Sequence, residues 1–540
     1  MNCPETITTP AFLNNRGILT TASKGDVMKK LNTYDILSIL VIGVSLIVIL
    51  SRFDIYPVFV DIYYHMSVAL SFDRAGGVVF WDFWEFAPEG RPHLYPPLLH
   101  CIMLFLSEFS SDVAVGKFIS FVMFPASQVT LWFFSREVYS RRTGFYALLI
   151  LSSSMEYFRL QAITSAAALV LVLTPLLFYT FEKGKYIASV IILASCLHSH
   201  VGMGPVALCS FGVYTVLCRE RIKEAAKIIA ASLVLYSPWG IHVLTNMESL
   251  SSGTVTSGYA FLIFPWILGI FGASMCIKKK KEFLIPVCIL VCMLPIAFTY
   301  TGRFTGHSVL PLAMLSGVSL AHFDEKMTGS RKTVFVIGAL LVLSLVAPTL
   351  AIQPEKGRSQ PQERGVRPQQ GMQPPSPSPQ QPQSSMKPSR ITVKFPSLLV
   401  TLPTLRSDSY LTPDNLEMAE IIKRNSQHTE IIFTQGGMWG CFITATTGRP
   451  QIFGMWHEVA SDFEPDPKSA SLFVMPRGQR VPEQLVKIGE TDKWTVYKAP
   501  SKKMIDIPDA SIRKGIVYLV LVIAFCGLLY DSIRGRVSHR

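Results

Sequence analysis

The first 350 residues are mostly a succession of apolar runs, and that feature leaves few folds open. A run of about 20 apolar residues spans a bilayer as a helix, because a helix satisfies each backbone N–H and C=O without water. Such runs fall near 36–50, 113–134, 143–155, 164–181, 186–198, 204–218, 226–244, 259–276, 283–300, 308–322 and 333–351, with one more at 515–531. Composition agrees: 49% of the 540 residues are hydrophobic and 16% charged, against about 25% charged in an average soluble domain. The pattern predicts an α-helical polytopic membrane protein with about 12 transmembrane helices.

The formal charge of +13 does not point to nucleic acid, because of where the basic residues lie. They gather in alternate short loops: Arg136/Arg141/Arg142, Lys183/Lys185, Arg219/Arg221/Lys223/Lys227, Lys278–Lys281, Lys326/Arg331/Lys332 and the tail Arg534/Arg536/Arg540. That alternation fixes orientation by the positive-inside rule. It puts both termini in the cytoplasm: a segment 1–33 at the start and a tail 532–540 at the end. Arg513 and Lys514 break the pattern just outside the last run, where long basic side chains can reach to the interface. Residues 34–352 form the transmembrane part, with a long first external loop over 53–112. Within that loop Leu98–Phe109 is apolar but short, and reads as a helix lying at the outer membrane surface.

A Pro/Gln/Ser-rich stretch, 353–390, cannot build a core and reads as a disordered linker. Residues 391–510 follow as a small α/β extracytoplasmic domain, with strand-like runs at ITVKFPSLLVTL, EIIFTQ, SLFVMP and KWTVYKA. A helix is expected to start at Thr412-Pro413, a cap followed by a favoured first residue. Of the ten cysteines, only Cys101 and Cys441 lie in the external segments, so no disulfide framework is expected. No zinc spacing, phosphate-binding loop or dinucleotide fingerprint is present.

The chemistry concentrates in the first external loop. It carries Asp54, Asp61-Ile-Tyr63-Tyr64-His65, Trp81-Asp82-Phe-Trp84-Glu85 and Glu89-Gly-Arg91-Pro-His93-Leu-Tyr95-Pro96-Pro97-Leu98. Carboxylates abstract protons or hold divalent cations, Arg and His meet phosphate, and aromatic faces stack on sugars or sit at the interface. Later external turns add His198-Ser-His200, Met155-Glu156-Tyr157-Phe158-Arg159 and Thr301-Gly-Arg303-Phe-Thr-Gly-His307.

These motifs resemble a known group. Asp61-Ile-Tyr-Tyr-His-Met, close after the first span, resembles the first-loop signature of the oligosaccharyltransferase catalytic subunit, especially its archaeal forms. Trp81-Asp82-Phe-Trp84, Tyr95-Pro96-Pro97-Leu98 and Ser135-Arg-Glu-Val-Tyr-Ser-Arg-Arg-Thr-Gly144 extend the likeness to the wider GT-C class of membrane glycosyltransferases. The likeness spans most of the chain in layout and about 100 residues in motif. One departure stands out. The Trp-Trp-Asp motif that reads the acceptor sequon in oligosaccharyltransferases has as its nearest match Gly436-Gly-Met-Trp439-Gly-Cys441, an aromatic in a glycine-rich turn without the aspartate. Glycosylation of asparagine sequons is therefore not expected.

The resemblance implies a GT-C-like fold and a glycosyltransferase at the extracytoplasmic face of the cell (plasma) membrane. Asp61 matches the family's first-loop aspartate, a general base or metal ligand, and Glu156 stands where the second acidic motif would be. Arg303 is similar to the arginine that meets the lipid-linked phosphate, with Arg91 and His307 as further phosphate contacts. Tyr63, Tyr64, His65, Trp84, Glu85, His93 and Trp439 are the expected substrate contacts. The implied partners are a polyprenyl-phosphate- or diphosphate-linked sugar donor and a glycan, lipid or protein acceptor. No cofactor is certain; a divalent cation, Mg or Mn, would use Asp61 and Glu156. The alternatives are a transporter or lipid flippase, whose polar and broken helices Pro175, Pro205, Pro286 and Pro295 would supply, and an inactive glycolipid-binding relative.

Overall fold

The computed structural model describes residues 31–537 except 164, 251–258, 278–280, 354–389, 395–396, 408, 435, 456–458 and 462. Most of the 353–390 linker, the first 30 residues, the last three residues of the tail and Lys278–Lys280 therefore lie outside the described residues.

Six described helices are long and apolar enough to cross a membrane: Thr33–Leu50, Asp112–Val138, Ser165–Glu182, Ile222–Thr245, Thr301–Lys326 and Lys514–Asp531. The other apolar runs become shorter helices, Arg141–Ser153, Tyr186–Leu197, Met203–Cys218, Ile263–Cys276, Ile285–Thr299 and Gly329–Leu345. By length and composition six of the described helices thus qualify as crossings, with shorter apolar helices at the remaining runs. Local sequence sets the helix starts. Asn32 and Asp35 form a reciprocal capping box on the first helix, and Ser140 caps Arg141–Ser153, each satisfying an otherwise orphaned amide.

Thr301–Lys326 is buried along its apolar stretch, Phe304 to Ala321, and packs at the centre of the bundle. Small residues let its neighbours approach: a Cβ on Gly272 would lie 2.0 Å from the Leu315 carbonyl, and one on Gly317 2.8 Å from that of Thr143. Close backbone approach of this kind is how helices pack where no water drives them together. At one end of the bundle the basic turn between Val138 and Arg141 is pinned. Arg136 and Arg141 meet the buried Asp35 at 2.8 and 3.2 Å, and Arg142 lies 3.5 Å from the buried Asp324.

On the opposite end, the first long loop, expected to be external, is folded rather than slack. It contains the helices Asp61–Ala75 and Leu98–Ser107 and a two-stranded pair, Trp81–Asp82 with Arg91–Pro92. A four-stranded sheet from the C-terminal part sits on it. Its order is Ile432–Phe433, Leu472–Pro476, Trp494–Lys498, Val486–Glu490, with the first pair parallel, and Pro413–Asn425 and Gly437–Thr447 are its helices. Thr412 caps the former as expected.

Two local readings change. ITVKFPSLLVTL is not one strand: Arg390–Lys394 pairs with Thr349–Gln353, which pairs with Tyr259–Leu262, and Leu398–Thr401 is already helical under a Ser397 cap. Arg513 and Lys514 do not simply reach for the interface. Arg513 pairs with Gly77, and Lys514 binds Asp73 and Glu108, the latter at 3.0 Å, so the last helix is bolted to the first loop.

Candidate active site

Two helices from distant parts of the chain build the site. Asp61 opens the helix Asp61–Ala75, where the free amides of a first turn favour an anion. Arg303 lies in the helix Thr301–His307. The Arg303 Nη2 stands 3.4 Å from the Asp61 Oδ2, with the two side chains 35% and 19% exposed, so the pair faces an accessible space. Arg303 also lies over the ring of Tyr300, 5.5 Å from its centroid. One turn on from each, at i+4 and hence on the same face, come His65 and His307. His307 is buried, and neither of its ring nitrogens has a hydrogen-bond partner among the described residues.

Met155–Arg159 is not a loop. It begins a helix, Met155–Ile163, set off from the preceding one by an extended Ser154. That helix brings the Glu156 backbone against the Arg303 helix at a glycine: a Cβ on Gly306 would overlap the Leu160 side chain and lie 3.3 Å from the Glu156 carbonyl.

The histidines extend the site inward. His65 Nδ1 lies 2.9 Å from His100 Nε2, and the Tyr95 ring stands edge-on to both His65 and His200, at 5.2 and 5.7 Å between centroids. The His198–His200 turn is held there because Leu98 N–H donates to the His198 carbonyl at 2.8 Å. Burial pushes the His65 imidazole down to about 3, with Arg303 and His93 adding to the effect. His200 is held well below its ordinary value by burial and then by Arg303, His307 and His65. Both rings are neutral at physiological pH.

Arg91 is elsewhere. It is 1% exposed and lies 3.2 Å from Asp82 and 2.5 Å from Glu85, while its Nη1 donates to the Val459 carbonyl at 2.7 Å. A guanidinium so enclosed by two carboxylates has no face left for a lipid phosphate, which corrects its assignment to the donor. Glu85 also accepts from Cys441 Sγ and Met455 N–H, both at 3.2 Å, and burial raises its proton affinity against the pull of Arg91. His93 Nδ1 sits 2.5 Å from Asp82, and Trp84 is buried against Phe72 and His93. Glu85 thus ties the loop to the C-terminal part through Cys441 and Met455, while His93 and Trp84 pack within the loop, and all three are buried rather than lining an open pocket. Tyr63 packs on Tyr410 and Phe442. Trp439 packs on Tyr410 and Trp494, and it lies in the first turn of a helix, not in a glycine turn. Tyr64 is buried beside His65 and Tyr95.

Sequence reasoning passed over His100 as a site residue. Its signal was a histidine inside the apolar run LLHCIMLF, a polar group on a buried helix face that must find a partner. The divalent cation does not fit the residues present. Asp61 is met by a guanidinium, and among the described residues no group of three or more His, Cys, Asp or Glu is arranged to hold a metal ion.

The fold resembles that of the GT-C membrane glycosyltransferases, and its long apolar helices are those of a membrane protein. The particular solved structures it resembles are the oligosaccharyltransferase of Archaeoglobus fulgidus and ArnT of Cupriavidus metallidurans. The apo archaeal enzyme superposes with a TM-score of 0.53 at 11% identity, over 79% of this chain and 65% of that one. The same enzyme, AglB, in complex with an inhibitory peptide and a dolichol-phosphate gives 0.51 at 11% identity over the same shares. Apo ArnT gives 0.50 at 11% identity, over 85% of this chain and 97% of that one. The chain thus spans 65% of the archaeal enzyme's length, and at this identity the likeness is one of fold. No protein-family model matches the chain, and no curated protein matches its sequence.

Proposed function

We propose that this protein transfers a sugar from a polyprenyl-phosphate- or diphosphate-linked donor to an acceptor hydroxyl at the outer face of the membrane. The observation that carries the reading is the Asp61–Arg303 pair: a carboxylate and a guanidinium 3.4 Å apart, drawn from the first loop and a late span of a GT-C fold. The archaeal structure that this fold resembles was solved with a dolichol-phosphate, which supports a lipid-linked phosphate as the donor class.

In this reading the donor enters from the bilayer and its phosphate takes the bidentate fork of Arg303. Asp61 loses its partner and becomes the base. The acceptor oxygen attacks the anomeric carbon, its proton passes to Asp61, and the bond from that carbon to the phosphate oxygen breaks. The electron pair leaves with the lipid phosphate, whose charge Arg303 stabilises. A single displacement inverts the anomeric carbon. The test is purified full-length protein in lipid nanodiscs with radiolabelled polyprenyl phosphoglucose, following sugar release to water or to added acceptors. Release that Asp61→Asn abolishes is the expected result. Intact donor after long incubation, or donor moved between leaflets without bond cleavage, rejects the reading.

A further inference from the structure

Three histidines beside Arg303 are unexplained by a mechanism that uses only Asp61 and Arg303. Their hydrogen bonds show what two of them offer. His200 Nδ1 accepts from the Gly202 and Met203 amides at 3.0 and 3.1 Å. A nitrogen that accepts cannot carry the proton, so in the neutral ring it resides on Nε2, on the far edge. His65 is fixed by a similar route. His100 Nδ1 is buried with no partner among the described residues. A buried lone pair is tolerated better than an orphaned N–H, so His100 Nε2–H donates to His65 Nδ1 and leaves His65 with a free Nε2–H. Tyr95 separates the two rings at 5.2 and 5.7 Å and holds their planes. His307, buried with both nitrogens unpartnered among the described residues, marks the same space as one that awaits a polar ligand.

We propose that His200, supported by His65, binds the donor headgroup as a neutral N–H donor of fixed tautomer, adding a directed hydrogen bond to the phosphate charge-paired by Arg303. The inference rests on the glycosyltransferase reading and deepens it. The groups acting on His200 are Arg303, His307 and His65, with Tyr95 edge-on to its ring; Asp61 pairs with Arg303, and His93 acts on His65. Lowered proton affinity at His65 and His200 keeps the rings uncharged next to the guanidinium. Such a pocket recognises phosphate through direction rather than added charge, and its grip does not depend on pH near neutrality.

The experiment measures the affinity of polyprenyl phosphoglucose, whose phosphodiester keeps one charge across the range, for the full-length protein between pH 6 and 8. The free polyprenol is the control. His200→Asn retains an oxygen to accept from the two loop amides but cannot place a donor where Nε2–H stood. His200→Gln reaches that position with an amide N–H. The wild type is expected to show a flat pH profile, His200→Asn a loss of about tenfold or more, and His200→Gln a partial recovery, all with unchanged thermal unfolding. If the wild type prefers the phosphodiester over polyprenol but His200→Asn binds it equally well, the assignment is overturned. Wild-type affinity that climbs as pH falls through the ordinary histidine range, and does so only with His200 present, overturns the neutral-donor mode. A wild type that does not distinguish the phosphodiester from polyprenol instead rejects the donor reading itself. Folding failure of His200→Asn is detected by its unfolding midpoint, and His200→Gln then decides: affinity lost as fully as in a His200→Phe variant of normal stability overturns the proposal.

Discussion

Replacing Asp61 by Asn separates its two proposed roles, because they respond in opposite directions. The side chain keeps its size and hydrogen-bonding capacity but loses the charge that holds Arg303 and takes the acceptor proton. At 3.4 Å two unit charges attract by about 1 kcal/mol in bulk water and about 5 kcal/mol at an effective dielectric of 20. Both side chains have some exposure, so solvent screening brings the net value to about 0.5–1 kcal/mol. That is the competition a donor phosphate must overcome to reach Arg303. Its removal should tighten donor binding by about two- to fivefold. Turnover should fall by about 10² or more, since general-base catalysis contributes about that much. Donor affinity and single-turnover sugar release, measured on one preparation, read both effects. Tighter binding with retained turnover would leave Arg303 in place and remove Asp61 as the base. Weaker binding would mean that Asp61 contacts the donor itself. If Asp54→Asn or Asp82→Asn abolishes release while Asp61→Asn does not, the wrong carboxylate has been chosen.

Arg303→Lys keeps a charge but loses the planar fork, and should weaken donor binding by about tenfold with little change in stability; unchanged affinity in both Arg303→Lys and Arg303→Ala refutes its role. Arg91→Met leaves Asp82 and Glu85 buried and uncompensated and should cost about 3–5 kcal/mol of stability, seen as a lower unfolding midpoint; a stable variant that loses donor binding would restore Arg91 to the site. His65 is held at about 3 against an ordinary 6.5. The folded chain therefore binds fewer protons than the unfolded one, and stability should fall as pH drops from about 6.5 towards 3. His65→Gln should flatten that part of the unfolding-midpoint profile, and an unaltered profile would contradict it. Lys487, half exposed on the sheet's outer strand, should be labelled as Lys487→Cys by an impermeant thiol reagent on intact cells; labelling only after lysis would invert the topology.

What could be read from the sequence follows the range of the interactions involved. Apolar runs and their capping residues are local, and helices appear at the predicted positions, down to the Thr412 cap. Asp61 stands out in the sequence for a similar reason, since its motif follows the first span closely along the chain. Arg91 was misread because its environment is not local. In sequence it is a charged residue in an external loop, and the groups that bury it include Val459, 368 residues away. The pairing of Asp61 with Arg303 crosses 242 residues, and only the resemblance pointed to both. Met155–Ile163 escaped detection because one extended residue, Ser154, breaks an otherwise continuous helical run.

The burial of Arg91 bears on how the site stays formed. In the proposed reaction a base and a phosphate ligand must be held within fractions of an ångström by surroundings that do not yield. The Asp61 helix is clamped along its length by C-terminal elements: Tyr63 packs on Tyr410 and Phe442, and Arg74 donates to the Gly448 carbonyl. Past its end, Gly77 pairs with Arg513. The loop beyond is stitched by backbone bonds from Gln451 N–H to the Trp84 carbonyl and from Ala87 N–H to the Gln451 carbonyl, both at 3.0 Å. Inside that stitch the Asp82–Arg91–Glu85 cluster closes, shut off from water. Burying three charges is costly unless the geometry is fixed, so the cluster resists any displacement of the loop that would part them. A charge cluster next to the proposed active site but sealed from it is then a device for positioning. Mutations in it should lower stability first and turnover only as Asp61 loses its register with Arg303.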